Sequence, residues 1–246
     1  MIKLLAYPLT IIYFISFGLV LVIFHPIQWF CFNVFGYKAH KVSVVWLQFW
    51  IMRCLNILGT RFTFNNSFKL PTNRPLIIVS NHQSMYDIPP IIWYFRKHHP
   101  KFISKMELGH GIPSVSYNLR HGGSVLIDRK NPIQSINAIE QFAKQVKDNN
   151  WAAVIFPEGT RSRDGKPKPF KTKGLLTLMK HIPNALIVPL TIENSWKTVR
   201  YGKFPMGLGA HIKFLVHAPL EIDNTNLENI ISITENNITK PLKHGN

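Results

Sequence analysis

Hydrophobic and polar positions follow two different rhythms on either side of about residue 60. From Leu4 to Phe24 the chain reads LLAYPLTIIYFISFGLVLVIF, with no charged residue and no polar stripe. About twenty apolar residues suffice to span a bilayer core. A second apolar segment, VSVVWLQFWIMRCLNIL over 42–58, is interrupted by Arg53. Between the two lies GYKAHK, which supplies the turn former Gly36 and the bases Lys38 and Lys41. This pattern predicts two helices in a hairpin. A hairpin buried in one leaflet keeps both ends on one side, in keeping with Lys3 at one end and Lys38 and Lys41 at the other. Arg53 then snorkels to headgroups. A first helix that spans the bilayer is the competing reading. Two core helices of a soluble domain are a third, and the lack of a polar face weighs against them. A cleaved signal peptide does not fit, because the apolar core is too long and no small-residue cleavage site follows.

Beyond about Arg61 short β-rich runs alternate with helical patterns. The predicted strands are 75–80, 101–104, 123–128, 151–156, 185–192 and 211–218. The predicted helices are 88–98, a region after Lys105, 132–149, 172–182 and 226–242. This alternation predicts an α/β fold with a mixed, mostly parallel sheet covered by helices. The chain thus divides into a membrane-associated helical hairpin, 1–60, and an α/β domain, 61–246. In such folds functional residues collect in loops that leave the carboxyl ends of strands.

Charge narrows the partners. The 246 residues carry 29 Lys+Arg against 12 Asp+Glu, a net charge of +17. Such an excess attracts polyanions, whether nucleic acid, anionic headgroups or phosphorylated substrates. No helix-turn-helix, zinc-finger or aromatic RNA-binding signature accompanies it, so no nucleic-acid partner is expected. The two cysteines, Cys31 and Cys54, sit in apolar surroundings and read as buried small hydrophobes. They offer neither a metal spacing nor a disulfide framework.

Candidate chemistry falls at the predicted strand ends. NHQSMYD (81–87) follows the strand PLIIVS and contains His82 and Asp87. Residues five apart do not share a helix face, so a turn must bring these two side chains together. Two accounts stand side by side. In one, Asp87 caps the helix that begins IPPII and His82 is a loop histidine. In the other, the carboxylate holds one imidazole nitrogen and leaves the other as a general base toward a substrate hydroxyl. FPEGTRSR (156–163) reads as a β-turn with Pro157 second and Gly159 fourth. It opens a basic loop, RSRDGKPKPFKTK, with six Lys/Arg against one Asp. That loop is either a solvated charged surface or a phosphate site, since guanidinium matches phosphate bidentately. Arg129, in IDRKN, either serves the same anion or is an ordinary surface arginine. Lys105 either pairs with Glu107 or faces the same phosphate.

Together these stretches resemble the glycerolipid acyltransferase family, most closely its 1-acylglycerol-3-phosphate acyltransferases. The motif N-H-x-S-x-x-D is met by Asn81, His82, Ser84 and Asp87. A glycine-led strand ending in I-D-R is similar to GGSVLIDR, and F-P-E-G-T-R-S is met by Phe156 through Ser162. An apolar V-P-L is met by Val188, Pro189 and Leu190, and K-x-E-L…P by Lys105, Glu107, Leu108 and Pro113. The resemblance covers roughly 75–192. It is poorer over 114–122, where the family more often carries a Gly-Trp-like aromatic stretch.

The resemblance implies acyl transfer to the sn-2 hydroxyl of lysophosphatidate, giving phosphatidate. It implies His82 and Asp87 as the catalytic pair. Glu158, Gly159, Thr160, Arg161, Arg129 and Lys105 would form the phosphate site, with Asn81, Ser84, Pro157 and Pro189 in support. It implies no metal and no cofactor, because the acyl-carrier-protein or acyl-CoA thioester donor is already activated. The expected partners are the lysolipid, the donor and membrane lipids. The expected location is the membrane, with the active site on its cytoplasmic face (the inner membrane in a bacterium). Glycerol-3-phosphate or another lysophospholipid is the alternative acceptor. A non-catalytic, basic, membrane-tethered binding protein is the alternative from another class.

Overall fold

The computed structural model of the chain describes residues 2–128 and 130–243. The N-terminal run α1 (Ile2–Asn56) is helical throughout except at Gly36, whose φ of 76° and ψ of −169° break it in two. Glycine is at home at that φ because it has no Cβ to clash. The halves fold back on each other, so that Leu21 packs with Leu47 and Ile51, and Tyr13 with Cys54, Leu55 and Leu58. The predicted hairpin is therefore present, with longer arms than the apolar runs alone indicated. The run is long and apolar enough to cross a membrane by length and composition. Its outer flank exposes Leu4, Ile15, Trp29, Phe35, Val42 and Trp50 among other large apolar side chains.

The remainder is the mixed α/β sheet that the sequence predicts. Its strands are β1 (Arg61–Asn65), β2 (Leu76–Ser80), β3 (Pro100–Lys105), β4 (Val125–Ile127), β5 (Ala152–Ile155), β6 (Leu186–Glu193), β7 (His211–Val216) and β8 (Leu220–Glu221). The spatial order is β1-β7-β6-β2-β5-β3-β4, with β8 on the far end of β6. Strands β6, β2, β5, β3 and β4 run parallel, whereas β7 and β8 pair with β6 antiparallel. Periodicity does not single out β1 or the two-residue β8, both of which lie outside the all-parallel block.

Alternation along β2 explains the layering. Ile77 and Val79 face one side, where they meet α4 (Pro132–Asp148), α5 (Thr172–His181) and α6 (Leu227–Lys243) through Phe142, Leu178 and Ile231. Leu76 and Ile78 face the other, against Ile91 and Phe95 of the α2 region (α2, Ile88–Tyr94) and Val44 of the hairpin. Both faces are covered, so the central strands are buried throughout, as parallel strands require. Pro189 sits inside β6 without breaking it. Its carbonyl accepts His217 N at 3.0 Å on the antiparallel side. The missing N–H therefore faces the gap where the partner of β6 changes from β8 to β7, and the pairing with β2 is untouched.

Polar contacts also fix the hairpin to this body. Tyr13 donates its hydroxyl to that of Tyr86 at 2.9 Å, and Met206 N donates to Thr10 Oγ1 at 2.9 Å. Farther along, Ser114 Oγ donates to Leu21 O at 2.6 Å; Ser114 opens α3 (Val115–His121). If the hydroxyl pair couples the two units, Tyr13→Phe and Tyr86→Phe will each lower the thermal unfolding midpoint in detergent. The double variant will lose less than the sum, with a coupling of about 1 kcal/mol. Strict additivity in that cycle would show the contact to be incidental.

Candidate active site

The carboxyl edge of the parallel block gathers the sequence-predicted residues. Strand β2 ends at Ser80 and hands the chain to Asn81 and His82. Asn81 imitates a further strand residue: its Oδ1 accepts Ile192 N at 2.7 Å and its Nδ2 donates to Ile192 O at 2.8 Å. The next residues wind into a single 3-10 turn, Met85–Asp87, capped by Ser84 Oγ, which accepts Tyr86 N at 3.0 Å. That turn solves the spacing problem. Asp87 has helical backbone angles, and side chains on a helical turn lean toward its N-terminus. Its Oδ2 accordingly accepts from His82 Nδ1 at 2.7 Å, Gln83 N at 2.8 Å and Ser84 N at 3.0 Å. Asp87 makes no side-chain cap to α2, so the simple capping account gives way to a carboxylate aimed back at the histidine.

The carboxylate is fully buried, while His82 keeps 15% of its side chain exposed. The imidazole stacks on Phe156 at 4.1 Å between centroids and 16° between planes. With Nδ1 committed to Asp87 and one face to Phe156, Nε2 is left without a protein partner among the described residues. Phe156 was not singled out by sequence reasoning. It follows β5, the strand beside β2, and its place at the same edge depends on that pairing.

The FPEGTRS loop holds the backbone of His82 from both sides. Gly159 N donates to Phe156 O at 3.0 Å, closing the predicted turn, and Gly159 takes φ 69°. Glu158 Oε1 accepts His82 N at 3.0 Å, and Ser162 N donates to His82 O at 2.8 Å. The other oxygen, Oε2, accepts Lys168 N at 3.3 Å. Lys168 Nζ in turn donates to Thr160 Oγ1 and Arg161 O, both at 3.0 Å. The buried Pro157 accepts Lys171 N through its carbonyl at 2.9 Å. Ser84 Oγ lies 2.5 Å from Ser195 Oγ just beyond β6, and Gln83 Oε1 accepts Ser195 N at 2.9 Å. Gln83, Lys168 and Ser195 are therefore structural partners that the motifs did not announce.

The cations are more dispersed. Arg161 is exposed and close enough for its charge to be felt at Tyr86, and its guanidinium forms no ion pair among the described residues. Lys105 is exposed at the end of β3, two strands from β2, or about 10 Å at the usual strand spacing. No ion pair joins it to Glu107 among the described residues. Arg129, the remaining predicted cation, lies outside the described residues. Among the described residues no cluster of three or more His, Cys, Asp or Glu side chains is placed to hold a metal ion.

A family model described as Acyltransferase matches residues 61–193, more than half of the chain. The chain belongs to the acyltransferase family. The matched region begins at β1 and ends at the last residue of β6, so it takes in the whole parallel block and its carboxyl edge. The relatives agree in kind. One from Limnanthes douglasii, named 1-acyl-sn-glycerol-3-phosphate acyltransferase, is 27% identical over 202 residues, covering 80% of this chain and 66% of its own. One of the same name from Helicobacter pylori is 38% identical over 125 residues, covering 49% of each. This chain thus spans just under two thirds of the length of the Limnanthes relative. The crystal structure of the 1-acyl-sn-glycerophosphate acyltransferase PlsC from Thermotoga maritima matches with a TM-score of 0.81. It covers 99% of this chain and 97% of that one at 22% identity, which shows a common fold that includes the hairpin.

Burial gives this candidate site one titrating group of note. Desolvation pushes the Glu158 carboxyl up from 4.5 to about 7, against the opposing pull of the two backbone N–H groups. Between those values the folded chain binds more protons than the unfolded one, so stability falls as pH rises and levels off above about 7. Glu158→Gln removes that titration. The slope of unfolding midpoint against pH will flatten between about 4.5 and 7, and an unchanged slope would mean that Glu158 is ionised throughout.

Proposed function

We propose that this chain transfers an acyl group from an acyl-carrier-protein or acyl-CoA thioester to the sn-2 hydroxyl of 1-acylglycerol-3-phosphate. One observation carries the reading: His82 Nδ1 held at 2.7 Å by a buried carboxylate, with Nε2 left for substrate. The Asp87 contact fixes the tautomer with the proton on Nδ1 and makes Nε2 the base. Nε2 takes the proton of the acceptor hydroxyl as its oxygen attacks the thioester carbonyl. The imidazolium that forms is stabilised by Asp87. It then returns the proton to the departing thiolate, which restores the neutral imidazole. No cofactor is required in this scheme, because the thioester is already activated.

Arg161 is the main proposed cation for the acceptor phosphate, with Lys168 beside it through Thr160. Both carboxylate oxygens of Glu158 are occupied by backbone N–H groups, and a carboxylate would repel the phosphate. Its proposed part is therefore to seat His82 and the loop, with Gly159 closing the turn. Lys105 would reach back across β5 to the same anion. Arg129, outside the described residues, is kept as a proposed phosphate contact on the resemblance alone.

The exposed apolar flank of the hairpin favours an acceptor that lives in the bilayer over soluble glycerol-3-phosphate. We take 1–60 as the membrane anchor and 61–246 as the catalytic unit, facing the cytoplasm.

An assay in detergent micelles, offering lysophosphatidate with each donor in turn, tests the reading. The wild type will form phosphatidate, and His82→Ala will lose it. Phosphatidate from His82→Ala at the wild-type rate would remove the base, and product only with glycerol-3-phosphate would replace the acceptor. Asp87→Asn will lower turnover at least about 100-fold with the fold intact, since the wrong tautomer becomes available. Arg161→Lys will raise the acceptor KM more than it lowers kcat, because an ammonium cannot replace the bidentate fork.

A further inference from the structure

The opposite edge of the sheet holds a cluster that the acyl-transfer scheme does not use. Strands β3, β4 and β5 begin there, and the turn of the hairpin packs across them. His40 and Lys41 of the hairpin, Arg96 after α2, and His99 and Lys101 at the start of β3 line a narrow cleft. None of the residues lining it is an Asp or Glu. We propose that this cleft is a second anion site that takes a phosphate group, carried either by an anionic lipid headgroup or by a phosphate in solution.

The groups are built in rather than merely crowded at a surface. Lys101 is buried, at 7% exposure, and its ammonium lies 5.1 Å from the Tyr37 ring and 5.0 Å from the Trp151 ring. Those rings stack on each other at 5.6 Å, and both lie within cation–π range of the ammonium. Lys41 Nζ lies 2.5 Å from His99 Nε2, so the ammonium donates to a neutral imidazole and His99 carries its proton on Nδ1. That Nδ1 is buried without a partner, and so are both ring nitrogens of the fully buried His40. At least one N–H of each ring is therefore unsatisfied within the protein.

A buried cation normally meets a carboxylate, and leaving it unpaired is costly. The cost is visible here: burial, with Lys41 adding to it, pulls Lys101 down to about 7, and burial likewise pulls His99 to about 4. An oxyanion would offer several acceptors to the ammonium groups and imidazole N–H groups together. Arg96, exposed at the mouth over Trp93 at 4.6 Å, extends the same polarity outward. The site stands apart from the proposed catalysis, since β2 and β3 each run about 16–20 Å from one edge to the other.

The test uses the full chain, in an Arg161→Ala background so that the proposed acceptor site is weakened. Thermal unfolding is followed in detergent against inorganic phosphate. It is followed again in nanodiscs of phosphatidylcholine with and without phosphatidylglycerol. A ligand of the folded state raises the midpoint by mass action. Stabilisation by inorganic phosphate that weakens about tenfold in apparent affinity in Lys101→Met, and persists in Lys101→Arg, identifies a soluble phosphate as the source. Stabilisation only by phosphatidylglycerol, lost in Lys101→Met, identifies a headgroup. If Lys101→Met lacks native circular dichroism, Lys41→Gln decides by the same readings. Midpoints indifferent to both probes, or gains equal in wild type and variants, would overturn the proposal.

Discussion

Three hydrogen bonds converge on one oxygen, Asp87 Oδ2, and the candidate site is organised around them. Two come from the backbone of Gln83 and Ser84 and one from His82. The backbone pair holds the carboxylate in place whether or not the imidazole is protonated, so the histidine meets a partner that is already oriented. Each element around it adds to that rigidity. Asn81 extends the sheet by one false residue, the 3-10 turn folds Asp87 back, and the FPEGTRS loop holds the backbone of His82 at both its N–H and its C=O. A site of this kind rests on main-chain geometry, with few side-chain freedoms left to order.

The parallel block provides the reason that these pieces meet at all. Adjacent β2 and β5 end side by side, so the two motif loops are neighbours in space although 76 positions separate His82 from Glu158. The hairpin closes the other side of the same loop through Tyr86. Tyr86, one of the four residues between the histidine and the acid, therefore faces the hairpin, while the next residue, Asp87, turns to His82.

Much of this was legible in the residues. The hairpin with its break at Gly36, the alternation of strands and helices, and the turn at Pro157 and Gly159 follow from local periodicity and turn preferences. The pairing of His82 with Asp87 needed a turn whose existence the sequence permitted but did not require. The prolines at 89 and 90 made capping by Asp87 equally reasonable. Only the backbone angles of Asp87 decided between them. Phe156, Gln83, Lys168 and Ser195 were not legible, because their roles depend on which strands are neighbours, and strand order is a long-range property. The two-residue β8 is too short to carry a pattern, and β1 takes its place at the edge of the sheet through its pairing with β7.

The bond from Met206 N to Thr10 Oγ1 joins positions 196 residues apart. During synthesis the hairpin leaves the ribosome long before residues 195–206 exist. Its inner face carries polar groups such as Thr10, Gln28 and Ser43, buried in the finished protein. That face must wait for most of the chain before it meets its final neighbours, because contacts of such sequence separation close late. The outer apolar flank needs no such partner from the chain. Until then the hairpin is complete on one side only, and its polar inner face is finished by residues made after it.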